Sequence, residues 1–484
     1  MKRLRKLLTA VLAALSVLCI HTAVFAAGGS ITVNGTTEGK TYDIYKIFDL
    51  TQGSGSAVAY TVDSDWENFF FNGGPGSSYL TTTSTPGLNT LTYNGTTYYI
   101  NITDSNVAAF AQKALSYAAS KPADASKVAD NTGTVKFENL DLGYYLVYPQ
   151  GATDINTGAG YASISSLTST TPNGTVNVKA TYPTIDKTVD NPDVQVGQTV
   201  TYTIKGKVPD TTGYTAYQYV VKDTMSTGLT FDSTTANFSV KFGNAPISVA
   251  PVYASNGFTL TFDMTQYQAY KGQEITVTYS AVVNKDAVVT LTKNKATLTY
   301  SNDPGDSSHT ETTPPIEKEV YTSKIVVDKY DANNPGQKLS GASFILVKKS
   351  GGSETFYKYD AGTDKVSWVA NQNDATVKTT DNAGATEFIG LSDGEYYLRE
   401  TVAPAGYNLL DHDVKVTITH TTTNVGGTVF NIGVSQKSEI PNKTGTTLPG
   451  TGGIGTTLFY VFGSALLLGA AVVFVTRRRM KKER

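Results

Sequence analysis

The stretch Glu395-Tyr396-Tyr397-Leu398-Arg399-Glu400-Thr401-Val402-Ala403-Pro404-Ala405-Gly406-Tyr407 decides how this chain is read. On a strand, residues two apart share a face, so Tyr396, Leu398 and Glu400 fall in one phase. A carboxylate therefore stands where a core side chain is expected. Short alternating runs recur along the chain, for example Thr199 to Ile204, Ile275 to Tyr279 and Val414 to Ile418. With frequent turn residues and abundant Thr, Tyr, Val and Gly, they indicate a mainly β protein of tandem antiparallel sandwiches.

Outward from that stretch, the body of about 425 residues suggests about three domains. The first, 28–180, holds the exception to the β pattern. Asp104-Ser105 can cap a helix through Val107, Phe110, Ala111, Ala114, Leu115 and Ala118, at 3.6-residue spacing. A shorter helix is expected around Asp65 to Phe70, with flanking strands that include Thr41 to Phe48 and Gly143 to Tyr148. The second domain, 181–318, reads as almost purely strand. Thr312-Thr313-Pro314-Pro315 separates it from the third, 319–443, because Pro-Pro breaks both helix and central strand.

The two ends are distinctive. Lys2, Arg3, Arg5 and Lys6 precede an apolar run from Leu7 to Ile20, and Val24-Phe25-Ala26 offers small residues for cleavage after Ala26 or Ala27. Residues 1–27 thus read as a secretory signal peptide. At the other end, within 444–484, Leu448-Pro449-Gly450-Thr451-Gly452 precedes an apolar stretch from Thr456 to Val475 and the basic tail Arg477-Arg478-Arg479-Met480-Lys481-Lys482. Twenty helical residues span about 30 Å, the thickness of a hydrocarbon core. The cations after it keep the tail cytoplasmic. The three-part arrangement resembles the cell-wall sorting signal of Gram-positive surface proteins. That resemblance implies cleavage by a sortase between Thr451 and Gly452, with the Thr held as a thioester.

Composition excludes several function classes. Four basic residues leave with the signal, and six basic residues and Glu483 leave with the tail beyond Thr451. The mature segment keeps 29 basic against 40 acidic residues, a balance of −11. Such a surface argues against nucleic acid as a partner. The single Cys, Cys19, lies in the signal, so the mature chain has no disulfide to strengthen it. With no Cys and few His, neither a metal site nor a cofactor is expected. None of His21, His309, His412 and His420 sits in a catalytic signature, and no Gly-x-Ser-x-Gly elbow occurs, so a secreted hydrolase finds no support.

The opening stretch also resembles the E-box of Gram-positive pilins and Cna-B-type domains. Ile325-Val326-Val327-Asp328-Lys329-Tyr330-Asp331 and Leu339-Ser340-Gly341-Ala342-Ser343-Phe344 look like the start of such a domain, and Ile440-Pro441-Asn442 like its close. The resemblance implies immunoglobulin-like, Cna-type sandwiches in which a first-strand Lys and a last-strand Asn form an isopeptide bond assisted by the E-box Glu. Here these are Lys329, Asn442 and Glu400. Strand phase agrees: Lys329 goes with Ile325 and Val327, and Asn442 with Ile440. Three surface residues would do this by chance about one time in eight, given two faces per strand. Burial disfavours the ammonium form, and the neutral amine can attack the Asn carbonyl while a protonated carboxyl polarises it and ammonia leaves. The competing reading is a plain buried ion pair, a poor stabiliser in isolation.

The second domain repeats the logic. Tyr182-Pro183-Thr184-Ile185-Asp186-Lys187-Thr188-Val189, Tyr219-Val220-Val221-Lys222-Asp223 and Asn294-Lys295-Ala296-Thr297-Leu298 resemble the isopeptide-forming middle domain of fimbrial backbone subunits. The implied trio is Lys187, Asn294 and Asp223. Lys187 is in phase with Ile185 and Val189, Asp223 with Val221, and Asn294 with Ala296 and Leu298. Asn302 shares the Asn294 phase and is a competing acceptor.

The family also joins subunits through an exposed Lys, usually in a Tyr-Pro-Lys motif. Here Thr184 follows Tyr182-Pro183, and the best substitute is Lys179, out of phase with Val176 and Val178. The expected function is a structural pilus backbone subunit, not an enzyme, linked from Thr451 to Lys179 of the next copy. Expected partners are a sortase, identical subunits, accessory pilins, peptidoglycan and host surface molecules. A monomeric wall-anchored adhesin or an accessory pilin is the alternative.

Overall fold

The computed structural model describes residues 28–445, except 53–57, 119–120, 154–161, 179–180, 212, 232, 234–237, 255 and 305, together with 454–480. The signal peptide, Lys179 and Leu448, Pro449, Gly450, Thr451 and Gly452 lie outside the described residues. The chain divides into two compact units. The first holds the residues up to 192, 199–283 and 292–319. The second holds 193–198, 284–291 and 320 onward.

The N-terminal part of the first unit has two sheets. In the smaller, Gly29–Asn34 runs between Asn173–Asn177, in parallel, and Thr134–Leu140, antiparallel. In the larger, Thr41–Gln52 pairs with Gly143–Pro149 and Val58–Val62. The helix forms over Val107–Ala118 and buries Phe110, Ala111, Ala114, Leu115 and Ala118, the stripe that 3.6-residue spacing demands. Its start differs from expectation. Asp104 and Ser105 occupy the turn ahead of it, and the Ser105 hydroxyl pairs with Thr103 at 2.9 Å instead of capping. The short helical turn is present as Ser64–Trp66 and Glu67–Phe70. Its Trp66, Phe69 and Phe70 pack edge-on and stacked against one another, Phe48 and Phe110.

The rest of the first unit is a sandwich. One sheet contains Asp186–Val189, Thr199–Lys207 and Glu274–Val283, and the other contains Gly257–Asp263, Gln218–Met225 and Thr292–Ser301. Their inner faces are apolar: Tyr202, Ile204 and Val277 on one, Tyr219, Val221, Leu260 and Leu298 on the other, all buried.

The second unit contains another sandwich. Its first strand, Ser323–Asp331, lies between Ala385–Leu391, antiparallel, and the last strand, Ser435–Asn442, parallel. The facing sheet centres on Ser343–Ser350 and Gly394–Val402. Between them sits a core of Ile325, Val327, Phe344, Leu346, Phe388, Leu398 and Ile440. Val196, from the short segment 193–198, is buried in that core. Beyond it, the helix Ile454–Met480 contains a stretch, Leu458–Arg479, whose most apolar 18 residues have a mean hydropathy of 2.4, long and apolar enough to cross a membrane.

Candidate functional site: two buried lysine clusters

In the second unit, the register of the parallel first and last strands sets Lys329 beside Ile440 and Asp331 beside Asn442. The burial of Ser323–Asp331 places Ile325, Val327 and Lys329 inward, and that of Ser435–Asn442 places Ser438, Ile440 and Asn442 inward. Two strands thus aim a cation and an amide into one core, as their phase dictates. Glu400 comes from the opposite sheet, in phase with Tyr396 and Leu398, and its strand neighbour Phe344 lays its ring 5.4 Å from the Lys329 ammonium. The Lys329 Nζ donates to Asn442 Oδ1 at 2.7 Å and lies 3.0 Å from Glu400 Oε1. Asn442 Nδ2 donates to the same Oε1 at 3.2 Å, and the Leu410 backbone N–H donates to Oε2 at 2.9 Å. Lys329 and Glu400 side chains are wholly removed from solvent. Burial pushes the Lys329 amine below its ordinary value, against the upward pull of Glu400.

Gly384 fixes this strand from the other side. It accepts from the Lys329 N–H at 2.8 Å with φ at +71°, and a Cβ there would stand 2.3 Å from the Lys329 carbonyl oxygen. Only glycine combines that conformation with that approach.

In the middle sandwich the cluster spans the two sheets. Lys187, on the sheet with Tyr202 and Tyr279, reaches Asp223 Oδ2 on the facing sheet at 2.5 Å, both side chains wholly buried. Asn294 is on the strand paired with the Asp223 strand, with Asp223 opposite Ala296. Its Nδ2 donates to the Tyr279 hydroxyl at 3.1 Å, and that hydroxyl donates to Asp223 Oδ2 at 2.5 Å. The Lys187 Nζ lies 5.1 Å from the Tyr202 ring centroid and 5.7 Å from that of Tyr279. Burial lowers the Lys187 amine to about 8, with Asp223 pulling the other way. Burial also pushes the Asp223 carboxyl up, against Lys187, Tyr279 and Asn294. Both shifts favour a neutral amine beside a neutral acid. Asn302, the competing acceptor, lies beyond the strand Thr292–Ser301, and its backbone carbonyl accepts from Tyr148 at 3.2 Å.

All six residues that the resemblance implied, with strand phase in agreement, are therefore buried and grouped in threes. Sequence reasoning missed Tyr279, although the alternation of Ile275, Val277 and Tyr279 was enough to place it inward. It also missed Gly384 and Gly257; a Cβ on Gly257 would lie 2.2 Å from the Asp223 carbonyl oxygen. Tyr182 and Pro183, next to the expected linkage lysine, line a cleft of about 990 Å³ with Lys40, Lys205, Lys207 and Glu311.

Residues 323–431 match the SpaA family model, a prealbumin-like fold domain, and residues 440–482 match the LPXTG cell wall anchor motif. The trypsin-resistant surface T6 protein of Streptococcus pyogenes serotype M6 is 27% identical over 395 residues, covering 66% of this chain and 71% of that protein. Among solved structures, the T6 backbone pilin of S. pyogenes superposes with a TM-score of 0.53 at 17% identity, over 86% of this chain and 98% of that one. The full-length major pilin SpaD of Corynebacterium diphtheriae gives 0.50 at 20% identity, over 87% and 98%. The chain thus has the fold of multi-domain pilins and carries a cell-wall anchor.

Proposed function

We propose that this wall-anchored protein is the repeating backbone subunit of a covalent surface pilus, each copy hardened by two self-formed Lys–Asn isopeptide bonds. The observation that carries the reading is the Lys329 Nζ held 2.7 Å from Asn442 Oδ1, with Glu400 bridging both groups and the Lys329 and Glu400 side chains wholly buried. An ammonium buried with one carboxylate gains little as an ion pair, since desolvation offsets the attraction. The same burial makes the amine nucleophilic once its proton passes to the carboxylate. Attack on the Asn442 carbonyl carbon then releases ammonia and leaves an amide between the first and last strands. Lys187, Asp223 and Asn294 have the composition for the same reaction across the middle sandwich. Each bond forms once, within its own chain, so the chemistry builds structure and has no turnover.

Assembly uses the sorting signal. A sortase acylated by Thr451 would pass that carbonyl to Lys179 of the next copy, and peptidoglycan would receive the last. One relative supports this: the T6 protein of S. pyogenes serotype M6 is named a trypsin-resistant surface protein and, in its solved structure, a backbone pilin. The test is an immunoblot of wall extracts boiled in detergent. The wild type is expected to give a ladder of high-mass species and Lys179→Ala only monomer. A ladder that persists in the variant moves the acceptor to another lysine. Monomer alone in the wild type supports a single-copy wall-anchored adhesin instead.

A further inference from the structure

We infer that Tyr279 is the proton relay of the middle sandwich, carrying a proton from the attacking nitrogen side of the cluster to the departing one. The inference rests on the proposed Lys187–Asn294 reaction and adds a fourth member to it.

The two clusters differ in reach. Glu400 Oε1 touches both nitrogens of its reaction, Lys329 Nζ at 3.0 Å and Asn442 Nδ2 at 3.2 Å. One carboxylate oxygen can take the proton from the first and deliver it to the second. Asp223 is a methylene shorter. Its Oδ2 meets Lys187 Nζ at 2.5 Å, while among the described residues its Oδ1 has no hydrogen-bond partner. The Tyr279 hydroxyl stands between Asp223 and the leaving nitrogen, 2.5 Å from Oδ2 and 3.1 Å from Asn294 Nδ2. Three consecutive contacts therefore join the two nitrogens: Nζ to Oδ2, Oδ2 to the hydroxyl, and the hydroxyl to Nδ2. Burial, followed by the Asp223 charge, pushes the Tyr279 hydroxyl well above its ordinary value, so it stays a neutral O–H that accepts and donates at once.

The step balances without any outside reagent. Lys187 gives one proton to Asp223 Oδ2 and becomes a neutral amine. Its lone pair forms the bond to Asn294 Cγ, and the C=O electrons move onto Oδ1. Tyr279 passes its proton to Nδ2 and takes the one on Asp223 Oδ2. The Cγ–Nδ2 bond breaks as the carbonyl reforms, ammonia leaves, and Asp223 accepts the surplus proton from the new amide nitrogen. Tyr279 ends as it began, and Asp223 ends protonated, the form its burial favours.

The test follows cross-linking in full-length chain made by cell-free synthesis, quenched at intervals and mapped by peptide mass spectrometry. The Lys329–Asn442 peptide serves as the internal control. Tyr279→Phe keeps the ring and removes the hydroxyl. It is expected to slow the Lys187–Asn294 bond by about a hundredfold, the usual scale of a lost general acid–base, while the control forms on time. Adding Asp223→Glu to that variant lengthens the carboxylate and is expected to restore the bond. A Phe variant that closes at the wild-type rate overturns the relay, and so does a double variant that stays open. Absence of the Lys187–Asn294 peptide from the wild type overturns the underlying reaction itself.

Discussion

Lys187 and Lys329 each sit where an ammonium is stripped of water, and among the described residues a carboxylate from the facing sheet is the one ion-pair partner of each. Removing the carboxylate's partner should therefore harm more than removing the reaction. Lys329→Ala leaves Glu400 buried without a cation and should cost about 3–5 kcal/mol beyond the loss of the cross-link itself, read by urea unfolding. Glu400→Gln should keep the fold while the Lys329–Asn442 peptide is lost from the mass map. Acid has a calculable sign in the middle cluster. Asp223 must be ionised to take the Lys187 proton, and its carboxyl is raised above the ordinary 3.8. Cross-linking there should slow as pH falls through that raised value, before an ordinary aspartate would protonate. The resemblance pointed to the six residues of the proposed reaction and phase agreed, because a strand has two faces and a polar residue on the inner one stands out. Tyr279 was hidden by the same rule: an inward tyrosine on a strand reads as core until its hydroxyl is seen between two polar partners.

At the level of elements, each bond would close a long loop, Lys329 to Asn442 being 113 residues apart. By analogy with a disulfide, a loop of that length is worth about 4–5 kcal/mol through the unfolded chain. Glu400→Gln should lose about that much relative to the cross-linked wild type, seen as a lower urea midpoint with a steeper slope, because the unlinked unfolded chain is less compact. The bonds also depend on backbone placement. Gly384→Ala would force a Cβ against the Lys329 carbonyl at a left-handed φ, costing about 1–3 kcal/mol and displacing the attacking strand. Both its stability and its rate of cross-linking should fall, and a variant matching wild type in both contradicts that role. Strand and helix positions were readable from period. The start of the Val107–Ala118 helix was not, because Asp104 and Ser105 have the composition of a cap without the geometry of one.

For the whole molecule, the segment beyond the expected signal peptide holds no cysteine, and the two proposed internal amides would supply the durability that disulfides otherwise give. A double variant, Asp223→Ala with Glu400→Gln, should still be secreted and anchored but should become digestible by trypsin at temperatures the wild type survives. The segment Asp193–Gln198 shows where sequence reading stops. Its Val196 is buried in the core of the second unit, yet its chain neighbours on both sides belong to the first. Local periodicity carries no trace of such an excursion. The central claim is tested most directly by the intact mass of the mature chain, with the linked peptides then identified. The mature chain is expected to show a deficit of two ammonia molecules, one located at Lys187–Asn294 and the other at Lys329–Asn442. A mass equal to the full sum of the residues, with all four side chains recovered unlinked, would contradict it.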